Sequence, residues 1–161
     1  MPSPSDEQRA TEIVAWYTLA AAVTGALPIP AASTAIVAET TAMIAHISSV
    51  FGVPISIKTI IASLGIASTL NIIGRTLFIE AARLLSWGTG NWWATLALSG
   101  IGATTAGLQT YIVGRLSIGI GSNFGKVLEP SRAREILHSA NQSYHGFVEH
   151  WKAKGVKKPE A

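Results

Sequence analysis

The stretch LLSWGTGNWWATLALSGIGATTAGLQTYIVG, residues 84–114, runs for 31 residues without a charged side chain or a proline. A helix rises about 1.5 Å per residue, so this length exceeds what a ~30 Å hydrocarbon layer requires. Trp87, Trp92 and Trp93 stand near one end and Arg115 follows the other, the flanking pattern of a membrane segment. The stretch therefore predicts a bilayer as solvent for part of the chain. It names no reaction.

The rest of the composition agrees with that setting. Charged residues make up 13% of the 161 residues, against about 25% in typical soluble domains. Mean hydropathy is +0.37. Of the 21 formal charges, 11 fall between Lys126 and Glu160, which leaves an apolar body with a polar appendage. That tail carries seven Lys/Arg against four Asp/Glu, and basic residues beside a membrane segment favour the cytoplasmic side and anionic lipid. Nucleic acid is not expected as a partner, because no basic stripe interleaved with aromatics lies outside the tail. Zero cysteines exclude disulfides, thiolate metal sites and cysteine nucleophiles. Asp6, Glu7, Arg9 and Glu12 precede the first apolar run, an acidic balance where a secretory signal needs a basic one.

Outward from the central run, the breaks divide the chain into segments. Residues 1–10, rich in Pro and Ser, read as a flexible tail. A helix from about Thr11 to Ala26 should stop at the Leu27-Pro28-Ile29-Pro30 corner, since proline removes a donor and disfavours helix before it. A second helix over Ser33–Val50 ends at Phe51-Gly52-Val53-Pro54, with Gly52 suited to a C-terminal cap. Ser56 caps a third helix reaching about Ser86, and Trp87–Asn91 turns into a fourth from Trp92 to about Gly119. The last helix begins near Pro130, a good first-turn proline. The fold expected is all-α: a helical membrane domain over 11–125, four apolar helices in two hairpins, then an amphipathic C-terminal helix within a basic segment, 126–161.

Three groups of residues stand out within these helices. Ser63 and Ala67, and Ser99, Ala103 and Gly107, repeat at four. Such ridges of small residues let helix backbones approach closely in lipid, where burial of apolar surface drives little association. They predict packed helices, within one subunit or in a homo-oligomer. Ala133, Leu137, Ala140, Tyr144, Phe147 and Trp151 recur at 4, 3, 4, 3, 4, a heptad seam that fits packing on the same subunit, a short coiled coil, or the membrane surface. Glu39, His46, Arg75 and Glu80 are ionisable groups set among apolar neighbours, which fits either a functional intramembrane charge or helices that meet the bilayer at its interface and edge. His138 and His145 lie about 10.5 Å apart along one helix, too far to share an ion. The cluster Gly119–Gly125 lacks the Lys-Ser/Thr ending of a phosphate-binding loop. Neither a cofactor nor a metal is expected, and no catalytic constellation can be argued from spacing.

This arrangement resembles a bacterial membrane domain of unknown function that accompanies Era-like GTPases, the YcjF-type domain. The matching features are the Ala-rich first helix ending in Leu27-Pro28-Ile29-Pro30, the helix with Ala42-Met43-Ile44 closing at Phe51-Gly52, and Thr104-Thr105-Ala106-Gly107 followed by Ile112-Val113-Gly114-Arg115. The resemblance covers Trp16 to Gly121. Ser33 or Thr34 stands where that family tends to have an acidic residue, and Trp87-Gly88-Thr89-Gly90 where it has a Pro-Gly turn. It implies a helical module of the bacterial inner membrane, fused to a GTPase or acting beside one, and no enzymatic chemistry. The functional expectation is a membrane protein that self-associates or couples a soluble partner to the bilayer. The alternatives are a small homo-oligomeric channel and a soluble helical domain holding an apolar ligand.

Overall fold

The structure is a computed structural model. It describes residues 3–27, 32–65 and 92–159, and the side chains of these apart from residues 32, 33 and 92–103. Five helices and no strand occur among the described residues: α1 (Pro4–Ala26), α2 (Ala32–Phe51), α3 (Ile57–Leu64), α4 (Trp92–Ser122) and α5 (Pro130–Lys154). The all-α expectation therefore holds at that level. Pro28, Pro30, Ala67, Arg75 and Glu80 lie outside the described residues. So do the side chains of Ser99 and Ala103, although both positions belong to α4.

The first helix is longer than its apolar composition suggested. It begins at Pro4, because Ser3 caps it: the Ser3 hydroxyl accepts from the Asp6 amide at 3.2 Å and the Ser3 amide donates to Asp6 Oδ2 at 2.9 Å. That reciprocal pair satisfies two otherwise orphan amides. Pro4–Ala10 of the segment read as a flexible tail thus form the first two turns of α1, and Ala10 is wholly buried. At 23 residues the helix is about 34 Å long.

The remaining boundaries follow local chemistry. Gly52, at φ +63°, ends α2. Its amide donates to Ser49 and that of Val53 to Ser48, the paired bonds of a glycine-terminated helix. Ser48 then holds the next turn, its hydroxyl donating to the Val53 carbonyl at 2.6 Å and accepting from the Ile55 amide at 3.1 Å. Ser56 caps α3 through the Thr59 amide, as the sequence predicted.

Helix α4 is the hub. Along α1 the contacts run Ala22, Val14, Glu7 while along α4 they run Gly107, Gly114, Ser122, so the two helices cross antiparallel. Phe51 of α2 sits on Gly121, and α5 packs antiparallel to α4 through Ile136 against Gly119 and Ser143 against Tyr111. Tyr111, Met43, Ile47, Leu116, Ile120 and Val14 are the largest apolar side chains closed off at the centre. The heptad seam of α5 is spent on this bundle: Ala133, Ala140 and Trp151 are buried, and Leu137, Tyr144 and Phe147 pack against the core. Of its three sequence readings, packing on the same subunit is the one observed.

Candidate functional site: a polar seam and a glycine-lined crossing

Glu39 and His46 occupy one face of α2, seven residues apart, and both turn toward α1. Thr24 donates its hydroxyl to Glu39 Oε1 at 2.7 Å, and the Tyr17 hydroxyl lies 3.0 Å from His46 Nδ1. Tyr17 and Thr24 are also seven apart. In an antiparallel pair each residue gained on one helix is lost on the other, so both bonds belong to a single register. The two polar pairs therefore fix how α1 and α2 align, a role polar groups perform well because a slipped register leaves them unpaired. The Tyr17 ring also tilts against the His46 ring at a centroid distance of 5.8 Å. Glu39 Oε2 is closed to solvent and has no donor among the described residues, so they satisfy the seam on one side of the carboxylate only.

The second feature is the α1–α4 crossing. A Cβ placed on Gly114 would lie 2.6 and 2.7 Å from the two γ-methyls of Val14. Gly107 abuts Ala22 and the Tyr144 hydroxyl, and Gly121 lies under the Phe51 ring. Three glycines spaced by seven thus let three different helices approach the α4 backbone. Burial raises the Tyr144 hydroxyl above its ordinary pKa, keeping it neutral against that backbone. The register places Thr18 and Thr110 between the Ala22 and Val14 levels; both are buried and neither hydroxyl finds a partner among the described residues.

Of the small residues singled out by sequence, Gly107 lies against Ala22 and the Tyr144 hydroxyl of the same chain. The Ser63 hydroxyl donates to the Thr59 carbonyl and accepts from the buried Leu128 amide at 3.0 Å, tying α3 to the turn before α5. Gly114 and Gly121 were missed. The signal was present, because glycines at 100, 107, 114 and 121 recur every seven residues, one stripe of a helix, whereas the spacing of four was followed.

Comparison with family models, curated proteins and solved structures finds no match. The site must be read from its own chemistry. His138, His145, His150 and Glu149 all lie on the exposed side of α5. Among the described residues no three His, Asp or Glu side chains are placed to hold a metal. The histidine hydrogen bonds among them go to Tyr17 and Gln142. The seam and the crossing align helices.

Proposed function

We propose that this chain is a non-enzymatic module of the bacterial inner membrane. It assembles with copies of itself and holds a soluble partner, of the GTPase class suggested by the resemblance, at the bilayer. The observation that carries this reading is the outer face of α2. Its segment Thr34–Phe51 spans 18 residues at a mean hydropathy of 1.3, yet only 22% of it is buried. Val37 of α2 is exposed, as are Val23 of α1 and Ile57 and Ile61 of α3. Water is a poor solvent for such a surface and lipid a good one.

Among its described side chains α2 exposes no charged group, although Lys58, next to Ile57 on α3, is exposed. Along α5 the outward residues include Arg134, His138, Asn141, Gln142, His145 and Glu149, which suits that helix to water and to a partner. Exposed Thr34, Ala38, Thr41, Ala45 and Ser49 line α2 at helical spacing, the small uncharged surface on which a second helix can approach closely in lipid. The bonds of Glu39 and His46 to α1 serve alignment of one hairpin better than they serve the lining of a channel.

Fractionation of cells expressing the full chain tests the bilayer reading. The protein should stay with membranes through a high-salt wash and leave only with detergent; recovery in the salt supernatant overturns it. Mass in detergent tests assembly, with Ala45→Leu expected to reduce the oligomer while helicity is kept. A monomeric wild-type mass removes self-association from the reading.

A further inference from the structure

At the foot of the bundle, where α1 begins and α4 gives way to α5, a cavity of about 400 Å³ opens to solvent. Ile118, Leu128 and Ile136 form its apolar floor, and its rim carries Glu7, Arg115, Glu129 and Arg132 with Ser122 and Asn123. Arg115 is half-buried, its guanidinium 6.0 Å from the centre of the Tyr111 ring. Among the described residues it makes no ion pair, so this charge is held in place without being neutralised. Arg132 reaches the same cavity while its Nη1 bonds exposed Glu135 at 2.7 Å. Glu129, the N-cap residue of α5, makes no side-chain bond to an amide of that helix.

The carboxylates complete the pattern. Glu7 accepts from the Ser122 hydroxyl at 3.3 Å, and Glu129 stands at the mouth. A bare anion would meet two carboxylates there and a bare cation two guanidinium groups. A ligand carrying both charges on a short apolar stem meets a partner for each. Two arginines lining one cavity favour phosphate as the anion, since guanidinium groups suit its bidentate geometry.

We propose that this cavity binds a phosphate ester that also carries an ammonium group, of the aminoethyl-phosphate type. The phosphate sits at Arg115 and Arg132, the ammonium at Glu7 and Glu129, and the stem over Ile118, Leu128 and Ile136. This chemistry has two sources: a zwitterionic lipid headgroup, which rests on the membrane reading above, and a free ester in solution.

Calorimetric titration of the full chain with phosphoethanolamine, inorganic phosphate and ethanolamine separates the alternatives. Phosphoethanolamine should bind saturably, and each half-probe at least tenfold more weakly. Arg132→Gln and Arg115→Gln should each weaken phosphoethanolamine about tenfold, a loss of about 1.4 kcal/mol. Glu129→Gln should weaken phosphoethanolamine and strengthen inorganic phosphate. Arg132 is exposed, so its variant carries the test if Arg115→Gln loses helicity. Inorganic phosphate binding as tightly as phosphoethanolamine, unchanged by Glu129→Gln, overturns the proposal, as does absence of saturable binding by any probe. Native mass spectrometry with phosphatidylethanolamine or phosphatidylglycerol then assigns the source. Retention of the first over the second, lost in Arg132→Gln, points to lipid; binding of the soluble ester alone points to a free ligand. A chain that proves soluble without detergent sinks the membrane reading and leaves the soluble titration standing.

Discussion

Replacing Gly114 by alanine adds one methyl group at the α1–α4 crossing, and the structure sets its cost. Carbon atoms pack best at about 3.5–4.0 Å. The new Cβ would lie 2.6 and 2.7 Å from the γ-methyls of Val14 and 3.2 Å from its Cβ. Rotating the valine does not remove the last contact, and a helical valine has essentially one rotamer. The helices must therefore part by roughly 1 Å to restore ordinary contact. Overpacking of this kind costs about 1–3 kcal/mol, and the better helix propensity of alanine returns about 0.8–1 kcal/mol. A net loss of about 1 kcal/mol follows, or roughly 2–4 °C in Tm for a chain of this size. Helical circular dichroism during thermal unfolding in mild detergent measures it. Gly146, with nothing within 4 Å of a Cβ, supplies the control, and Gly146→Ala should stabilise α5 by about 0.5–1 kcal/mol. Val14→Ala opens space for the added methyl, so the double variant should be more stable than the sum of its singles by about 1 kcal/mol. Gly114→Ala melting with the wild type, together with strict additivity in the double variant, would refute the close approach.

Ser63→Ala strands the buried Leu128 amide, which should cost about 1–3 kcal/mol and speed hydrogen exchange at that amide before any other in the turn. Phe124 holds a left-handed conformation at φ +57° and is 62% exposed as a residue. Because that conformation costs an L-residue about 1–2 kcal/mol, Phe124→Gly should raise the melting temperature; an unchanged or lower value contradicts it. The Asp6 carboxyl is held below its ordinary pKa by the Ser3 amide, then by the Ser3 hydroxyl. A depressed folded pKa means its contribution is present above the unfolded pKa and is lost as pH falls through the folded one. Amide exchange in the first turn of α1, corrected for intrinsic rates, should therefore rise in that acid range, and Asp6→Ala should abolish the pH dependence.

Much of the helix punctuation was legible because it is local. Ser56, Gly52 and Pro130 act on amides and carbonyls within a turn of themselves, and each stands where its chemistry demands. The α5 stripe was legible for a related reason: a heptad on one helix needs no knowledge of its partner. The start of α1 was misread by weighing Pro and Ser as loop formers, although Ser3-Pro4-Ser5-Asp6 also spells a capping pair. What sequence could not give was pairing across distance. Tyr17 with His46 and Thr24 with Glu39 become evident only once the hairpin register is known. Ser63 bonds an amide 65 positions away, and its neighbours in sequence carry no hint of it.

The glycine crossing also bears on the order in which the chain is made. Val14 and the glycine that receives it are 100 positions apart, so α1 is synthesised long before the helix that covers it. At about 5–20 residues per second the wait is roughly 5–20 s. During that time the groove side of α1, with Val14, Thr18 and Ala21, has no native cover except what α2 provides. Translation pauses between α2 and α4 would lengthen that exposure, and a shorter connection would cut it. The nascent hairpin is the stage at which quality control of this protein should act.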